Sequence, residues 1–136
     1  MSKASFPPAA RLRTRRDYNR LYGRSRRGYA KHLSVMLARR PERGDQRARL
    51  GVVVSLKVSK SAVRRHQLKR WTRELFRQRL QRDWEGWDIL VLLRADPPGD
   101  HAAFDAEVEA ALAKAKDTRV IKKRKKTGRR RRKPQK

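Results

Sequence analysis

Positive charge is the feature that most limits how this chain can fold. Of its 136 residues, 40 are Lys or Arg and 13 are Asp or Glu, so the formal net charge is +27. Charge of this size opposes compaction through self-repulsion, and a polyanionic partner relieves it. Because only 37% of the residues are hydrophobic, we predict one small core in a single domain with solvated tails. DNA, RNA and an anionic membrane surface are the candidate partners.

The charge is unevenly distributed along the chain. Residues 1–73 carry a net charge of +19, residues 74–118 a net charge of −4, and residues 119–136 twelve cations and no acid. The folded part is therefore itself polarised. We predict a flexible arm over residues 1–10, a domain over 11–118, and a disordered basic tail over 119–136. The tail cannot bury enough apolar surface to fold alone, so its expected effect is added nonspecific affinity for a polyanion.

Composition also indicates where the chain acts. No apolar stretch approaches the roughly 20 residues that a membrane-spanning helix needs, and the first ten residues lack the apolar run of a signal peptide. Cysteine is absent, which rules out disulfides and thiolate metal sites. We therefore predict a cytoplasmic protein with a nucleic-acid partner and no membrane contact.

Hydrophobic periodicity predicts an α+β fold, with helices packed on a small mixed or antiparallel sheet. Apolar alternation predicts a strand with one buried face over 32–38, β-branched residues predict a central strand over 49–58, and the apolar run over 87–93 predicts a buried strand. The spacing of the first two suggests an antiparallel pair. Residues 24–30 read as an edge strand or a loop. Helices are expected over 13–22, 59–82 and 101–116, with Thr14, Ser59 or Ser61, and Asp100 as N-caps.

The predicted long helix carries a basic ridge on its first three turns. The ridge consists of Arg65, Lys69 and Arg73, with His66, Arg70 and Arg77 beside them. Cations at i, i+4 and i+8 repeat about 6 Å apart along a helix axis, and arginine can contact phosphate oxygens with two hydrogen bonds. Glu74 is the only acid between residues 64 and 82, which favours nucleic-acid contact over a solvated helix face.

Three motifs follow one another in the middle of the chain. Residues 49–55 read Arg-Leu-Gly-Val-Val-Val-Ser, residues 62–65 read Ala-Val-Arg-Arg, and residues 68–76 read Leu-Lys-Arg-Trp-Thr-Arg-Glu-Leu-Phe. This order resembles the signature of the bacterial ribonuclease P protein family, an Arg-Leu-Gly strand followed by a helix with Arg-Asn-Arg, Ile-Lys-Arg and Arg-Glu-x-Phe. With Arg11-Leu12 and the strand at 87–91, the resemblance spans about residues 11–115. His66 and Gln67 replace the family's Asn and second Arg.

The resemblance implies a fold and a function. The fold would be ferredoxin-like or ribosomal-protein-like, with one left-handed crossover. The chain would be the protein subunit of ribonuclease P, which binds the catalytic RNA and the 5′ leader of precursor tRNA and assists 5′ maturation of tRNA. The RNA subunit would perform the hydrolysis with Mg²⁺. The protein would bind no cofactor alone and would act as a monomer within the ribonucleoprotein.

The resemblance also implies two sets of site residues. The set expected to bind the RNA subunit is Arg64, Arg65, His66, Gln67, Lys69, Arg70 and Arg73. The set expected to bind the leader, in a cleft between the first helix and the sheet, is Arg13, Arg15, Tyr18, Tyr22, Val35 and Lys57. Bases of single-stranded RNA stack on aromatic rings with little sequence demand. The alternative for Tyr18 and Tyr22 is a purely structural role in the core.

Independent catalysis by the chain has little support in the sequence. The three histidines at 32, 66 and 101 fall in separate predicted elements, without the spacing of a metal site. The acids Asp83, Glu85 and Asp88 form a cluster that could bind Mg²⁺ or belong to a solvated loop. The alternative functions are a structural ribosomal protein, a nuclease acting alone and, less favoured, a DNA-binding architectural protein, because no helix pair reads as a recognition unit.

Overall fold

A computed structural model describes residues 10–40 and 46–119, together with the backbone of residues 121–122. Of the predicted arm over 1–10 and the predicted tail over 119–136, only residues 10, 119, 121 and 122 fall within the described part. The elements, in chain order, are α1 (Arg15–Gly23), β1 (Arg24–Tyr29), β2 (Leu33–Arg39), β3 (Arg49–Val54), α2 (Ala62–Leu75), α3 (Gln81–Asp83), β4 (Trp87–Leu93), α4 (His101–Lys116) and β5 (Ile121–Lys122). One π-helical turn, Phe76–Leu80, joins α2 to α3.

The strands form one mixed sheet in the order β3-β4-β2-β1-β5. β4 runs parallel to β3 and antiparallel to β2, so it separates the two strands that we predicted to pair with each other. That pairing prediction was wrong because β4 is a nearly continuous apolar strand and takes the interior position between β3 and β2, where both of its faces are buried. The connection from β3 to β4 contains α2 and is long enough for a parallel crossover. The predicted α+β class is confirmed.

Helices cover both faces of the sheet. On one face, Leu33, Val35 and Leu37 of β2 join the large core with residues of α2 and α4. On the other face, Met36 joins a smaller cluster with Leu21 of α1. Because side chains alternate along a strand, burial of every residue from 33 to 37 means that β2 is covered on both sides, whereas its sequence suggested one buried face.

Side-chain caps begin the three long helices at the predicted residues. The Thr14 hydroxyl accepts a hydrogen bond from the Asp17 amide at 3.1 Å. The Asp17 carboxylate in turn accepts one from the Thr14 amide, and the two bonds form a capping box. Ser61 accepts from the Arg64 amide at 3.2 Å, and Asp100 accepts from the Ala103 amide at 3.0 Å. Caps of this kind each contribute about 1 kcal/mol, so they fix where α1, α2 and α4 start.

Candidate nucleic-acid interface

A cleft of about 300 Å³ lies between the segment that precedes α1, strand β3 and helix α2. The residues that matter for its chemistry are Arg11, Arg13, Tyr18, Gly51, Val52 and Arg73. The Tyr18 hydroxyl donates a hydrogen bond to the Leu12 carbonyl at 3.2 Å. A Cβ atom at Gly51 would lie 2.9 Å from the Tyr18 hydroxyl oxygen, so the absent side chain leaves room for the phenol.

The aromatic residues of α1 are partly buried rather than enclosed. Tyr18 and Tyr22 pack on the smaller core cluster, and each keeps part of its side chain exposed. Burial raises the pKa of Tyr18, the neighbouring Tyr22 and Asp17 raise it further, and the charge of Arg73 opposes them. The phenol is therefore neutral near pH 7, and a cation from α2 lies within electrostatic reach of it. The two rings can therefore pack against the core and still contact a ligand.

The other residues expected to bind the leader are more dispersed. Arg13 lines the cleft, Arg15 is exposed at the start of α1, and Lys57 is exposed in the turn after β3. Val35 does not reach the cleft, because its side chain is fully buried in the large core on the opposite face of the sheet. The period-two alternation of β2 instead turns the adjacent Met36 toward α1. The expected placement of Val35 beside the tyrosines was therefore wrong.

Arg64, predicted to bind RNA, is held by other parts of the protein. Its Nε lies 2.8 Å from a carboxylate oxygen of Asp96, and its Nη2 donates to the Pro97 carbonyl at 2.7 Å. Nη1 donates to the Gln67 side chain at 2.7 Å, and the guanidinium lies 5.2 Å from the centre of the Trp71 ring. Arg64 thus connects α2 to the loop before α4, and Gln67 helps to orient its guanidinium group.

Five other residues expected to bind the RNA subunit lie at the surface of α2. His66, Arg70 and Arg73 are exposed and Lys69 is half-buried, while Arg65 uses one guanidinium nitrogen to donate to the Ser59 carbonyl at 2.8 Å. Within residues 10–40 and 46–119, none of these five side chains makes an ion pair with an acid. Arg73 also lines the cleft, so the ridge and the cleft form one continuous surface that meets at this residue.

A buried carboxylate fixes the position of α1 beside this surface. Asp88, at the start of β4, is fully buried and accepts two hydrogen bonds of 2.8 Å from Arg49 of β3. It also pairs with Arg20 of α1, and Arg40 Nε lies 3.8 Å from it. Arg49 in turn contacts Asp17 of α1 at 3.4 Å. The network ties α1 to the two neighbouring strands β3 and β4.

The charges of this network shift the pKa values of Arg49 and Asp17. The side-chain hydrogen bonds that Arg49 donates to Asp88 raise the pKa of Arg49 above its ordinary value, against the effect of burial. Burial alone would raise the pKa of Asp17, but the charge of Arg49 and hydrogen bonds from the Arg13 and Thr14 amides outweigh it, so that pKa is lowered. Both groups are charged near neutral pH, which stabilises the contact between α1 and the sheet.

Sequence reasoning missed this role of Asp88, which it grouped with Asp83 and Glu85 as a candidate Mg²⁺ cluster. Asp83 and Glu85 are exposed, whereas Asp88 is enclosed by arginines. In the described part of the chain, no three His, Cys, Asp or Glu side chains lie close enough together to hold a metal ion. The available signal was a single acid inside an otherwise apolar strand, since a buried carboxylate requires a cationic partner.

The fold and the surface together define a class of protein. A small α+β domain with a largely exposed cationic helix face, joined to an aromatic-bearing cleft, is typical of proteins that bind RNA. Among the described helices, none is long and apolar enough to cross a membrane.

Comparison with known proteins identifies the family. The family model for Ribonuclease P matches residues 6–116. The ribonuclease P protein component of Pseudanabaena sp. (strain PCC 6903) is 36% identical over 113 residues, which cover 82% of this chain and 95% of that protein. The corresponding protein of Microcystis aeruginosa is 32% identical over 115 residues, which cover 81% and 93%.

Solved structures agree with the sequence comparison. The ribonuclease P protein of Thermotoga maritima aligns with a TM-score of 0.63 at 30% identity, covering 76% of this chain and 94% of that one. The Staphylococcus aureus protein aligns with a TM-score of 0.66 at 27% identity, covering 79% and 95%. The chain therefore belongs to the ribonuclease P protein family. Its role is that of the RNA-binding protein component of ribonuclease P in the 5′ maturation of tRNA, and its partner is the ribonuclease P RNA.

Proposed function

We propose that the cleft binds the 5′ leader of precursor tRNA while the basic ridge binds the ribonuclease P RNA. The observation that carries this assignment is Arg73, which belongs to the ridge on α2 and also lines the cleft beside Tyr18. An RNA phosphate at Arg73 would lie where the two surfaces meet. The protein would thereby hold substrate and RNA subunit on one side of the domain.

The two surfaces suit different RNA contacts. Within the described residues, Arg65, Lys69, Arg70 and Arg73 have no acid partner, so phosphate binding does not require an existing ion pair to break. The half-exposed rings of Tyr18 and Tyr22 offer faces on which unpaired bases can stack. Arg13, Arg15 and Lys57 would add charge along the leader, and His66 would contact the RNA subunit. Arg64 and Gln67 would act indirectly, by holding α2 in place.

The RNA subunit would perform the hydrolysis, with Mg²⁺ bound in the ribonucleoprotein and no cofactor held by the protein alone. The position of Asp88 supports this division of labour, because the most buried acid of the domain is already shared by arginines and unavailable as a general base. One copy of the chain would act per RNA, in the cytoplasm, where bacterial precursor tRNA is made.

Cleavage of precursor tRNA by the matching ribonuclease P RNA, at low Mg²⁺ and with or without this protein, tests the proposal. The leader should be supplied both at full length and shortened to one nucleotide. We expect the protein to lower KM for the long leader and to lose most of this effect with the short one. Equal stimulation of both substrates would overturn the assignment of the cleft.

The triple variant Arg65→Gln, Lys69→Gln, Arg73→Gln tests the ridge. Each lost phosphate contact should reduce the salt dependence of log K for the ribonuclease P RNA by about 0.7–0.9. Arg82→Gln is the matched control, since Arg82 is an exposed cation in α3, beyond the ridge. A triple variant with the salt slope of the control would show that the RNA subunit binds elsewhere.

A further inference from the structure

A second basic pocket, of about 340 Å³, lies at the end of the sheet where β1 begins and β2 ends. Four arginines line it above a floor that includes Leu37 and Trp87: Arg20, Arg24, Arg26 and Arg39. We call it the arginine pocket. None of the residues that line it lines the cleft, and it contains no residue of the basic ridge. Neither proposed RNA contact therefore accounts for it.

Two of the four arginines form the walls of the pocket through contacts within the fold. Arg20 pairs with the buried Asp88. Arg26 donates to the carbonyl of Thr118 and, at 3.5 Å, to that of Lys116, at the carboxyl end of α4. Among the described residues, Arg26 contacts carbonyl oxygens and no carboxylate, so its charge is only partly offset. These contacts hold two cationic walls in fixed positions.

The other two arginines face solvent. Arg24 and Arg39 are exposed, and within residues 10–40 and 46–119 neither makes an ion pair with an acid. The Arg39 guanidinium lies 5.2 Å from the centre of the Trp87 ring. An arginine placed on an aromatic face keeps its planar donors oriented, which suits bidentate contact with a phosphate. Trp87 itself is 9% exposed, so it supports Arg39 and offers little face for a stacked base.

The path of the chain favours a long polyanion over a small anion. Lys122 of β5 is the register partner of Arg24, so the chain leaves the sheet at the rim of the arginine pocket. Residues 123–136, which follow it in the sequence, include ten Lys or Arg and no acid. The sequence that follows this point is therefore strongly cationic, which favours a partner with many phosphates over a single small anion.

We propose that the arginine pocket is a second phosphate-binding site for RNA, separate from the ridge and the cleft. Arg24 and Arg39 contact consecutive backbone phosphates, and Arg20 and Arg26 supply the fixed positive field behind them. The site reads no base and adds affinity for a structured RNA. Two RNAs share this chemistry, the ribonuclease P RNA and the body of precursor tRNA beyond the leader.

The double variant Arg24→Gln, Arg39→Gln tests the pocket in the full chain. The control removes two exposed cations that line neither the pocket nor the cleft, in the variant Lys31→Gln, Arg82→Gln. One arm measures binding of the ribonuclease P RNA over a range of salt. The other measures binding of precursor tRNA to the preformed ribonucleoprotein. A loss in the first arm assigns the pocket to the RNA subunit, and a loss confined to the second assigns it to the substrate.

We expect the double variant to weaken one of these affinities roughly tenfold and to lower its salt slope by about 0.7–0.9 for each lost contact. Its thermal unfolding should match that of the control, because both altered side chains are exposed. Equal affinities for the double variant and the control in both arms would overturn the proposal. The Arg73 variants would still report on the cleft and the ridge, so the two proposals can fail independently.

A spectroscopic measurement gives a second, independent readout. The indole N–H signal of Trp87 should shift when a short RNA hairpin is added to the isotopically labelled full chain, because Arg39 lies on its ring. The shift should disappear in the Arg24→Gln, Arg39→Gln variant. A Trp87 signal that does not respond to the hairpin in the unaltered protein would also count against the pocket.

Discussion

Arg49 donates two hydrogen bonds of 2.8 Å to the fully buried carboxylate of Asp88. This pair joins the parallel neighbours β3 and β4 near the start of each strand, where Arg49 and Asp88 are register partners. Because Arg20 shares the same carboxylate and Arg49 also reaches Asp17, the pair extends to both ends of α1. The cleft therefore depends on a polar network as well as on apolar packing.

Replacing Asp88 should lower the free energy of unfolding more than replacing any nearby acid does. Asp88→Asn leaves several guanidinium groups at a buried position without their shared charge, and breaking a buried network of this kind costs about 3–5 kcal/mol. The measurement is the free energy of unfolding in urea. Asp83→Asn is the control, because Asp83 is exposed and its loss should change stability by less than about 0.5 kcal/mol. Similar values for the two variants would contradict the network.

Asp17 should make stability depend on pH in the acidic range. Its pKa in the folded protein is below its ordinary value of 3.8, so the ionised form is favoured by folding. Its contribution is fully present above that ordinary value and is lost as the pH falls through the lowered pKa. Asp17→Asn should therefore destabilise the protein by about 1 kcal/mol near pH 7, through the capping box and the Arg49 contact.

The difference in stability between the unaltered protein and Asp17→Asn should shrink as the pH falls from the ordinary pKa through the lowered one, because both proteins carry a neutral side chain at this position once the pH is below the lowered pKa. Urea unfolding at several pH values measures it. A difference that stays constant down to strongly acid pH would show that the carboxylate charge contributes nothing and that the amide caps α1 less well for another reason.

Arg64 and Arg70 lie on the same helix, but we expect Arg64 to contribute to stability and Arg70 to contribute to RNA binding. Arg64 contacts Asp96, Pro97, Gln67 and the Trp71 ring, so Arg64→Ala should lower stability by about 1 kcal/mol. Arg70→Ala should leave stability unchanged and weaken binding of the ribonuclease P RNA. Unfolding curves and RNA titrations of both variants test this. Equal stability of the two would show that the Arg64 contacts do not hold α2 in place.

Local sequence signals predicted much of the fold. The caps at Thr14, Ser61 and Asp100, and the bounds of β4 and α4, follow from short-range chemistry that the sequence shows directly. The order of strands does not, because it depends on which strand can be buried on both faces. Deciding which strand that is requires comparing the apolar content of segments far apart in the sequence, and the spacing of the strands along the chain does not give this information.

In the candidate site, too, local features could be predicted from the sequence and long-range contacts could not. The ridge of Arg65, Lys69 and Arg73 follows from helical periodicity, which is why its placement agrees with the structure. The involvement of Arg64 with Asp96 joins residues 32 positions apart, and that of Asp88 with Arg20 joins residues 68 apart. Such pairs could not be chosen in a sequence with 40 cations. The side of β2 that bears Val35 likewise depended on which helix covers which face.

The crossing of β1 over α4 should tolerate no side chain at Gly28. A Cβ atom there would lie 2.1 Å from the Ala111 carbonyl oxygen and 2.7 Å from the Ala115 nitrogen, both backbone atoms that cannot move alone. Gly28→Ala should therefore destabilise by about 1–3 kcal/mol or more, as overpacking does. Gly23→Ala is the control, since in the described part of the chain its Cβ position has no tertiary contact within 4 Å beyond its chain neighbours and its own helix backbone. If both variants unfold at the same urea concentration, β1 and α4 are not in the close contact described.

A side chain at Gly51 should impair leader binding in the cleft and leave RNA binding by the basic ridge unchanged. A Cβ atom at Gly51 would lie 2.9 Å from the Tyr18 hydroxyl oxygen and 3.1 Å from a methyl group of Leu12. Gly51→Ala should therefore displace the Tyr18 ring and raise KM for precursor tRNA with a long leader several-fold, about 1 kcal/mol of binding free energy. Affinity for the ribonuclease P RNA should stay the same, because the ridge on α2 is unaltered.

Tyr18→Phe is the matched comparison for Gly51→Ala. It removes the hydrogen bond to the Leu12 carbonyl but keeps the ring on which a base can stack, so KM for the long leader should rise less than in Gly51→Ala. Stacking on aromatic side chains contributes about 1–3 kcal/mol per base, which exceeds the 0.5–1.5 kcal/mol or so of a neutral hydrogen bond. If Tyr18→Phe raises KM as much as Tyr18→Ala does, the hydroxyl rather than the ring contacts the leader. If neither does, Tyr18 serves only the packing of α1.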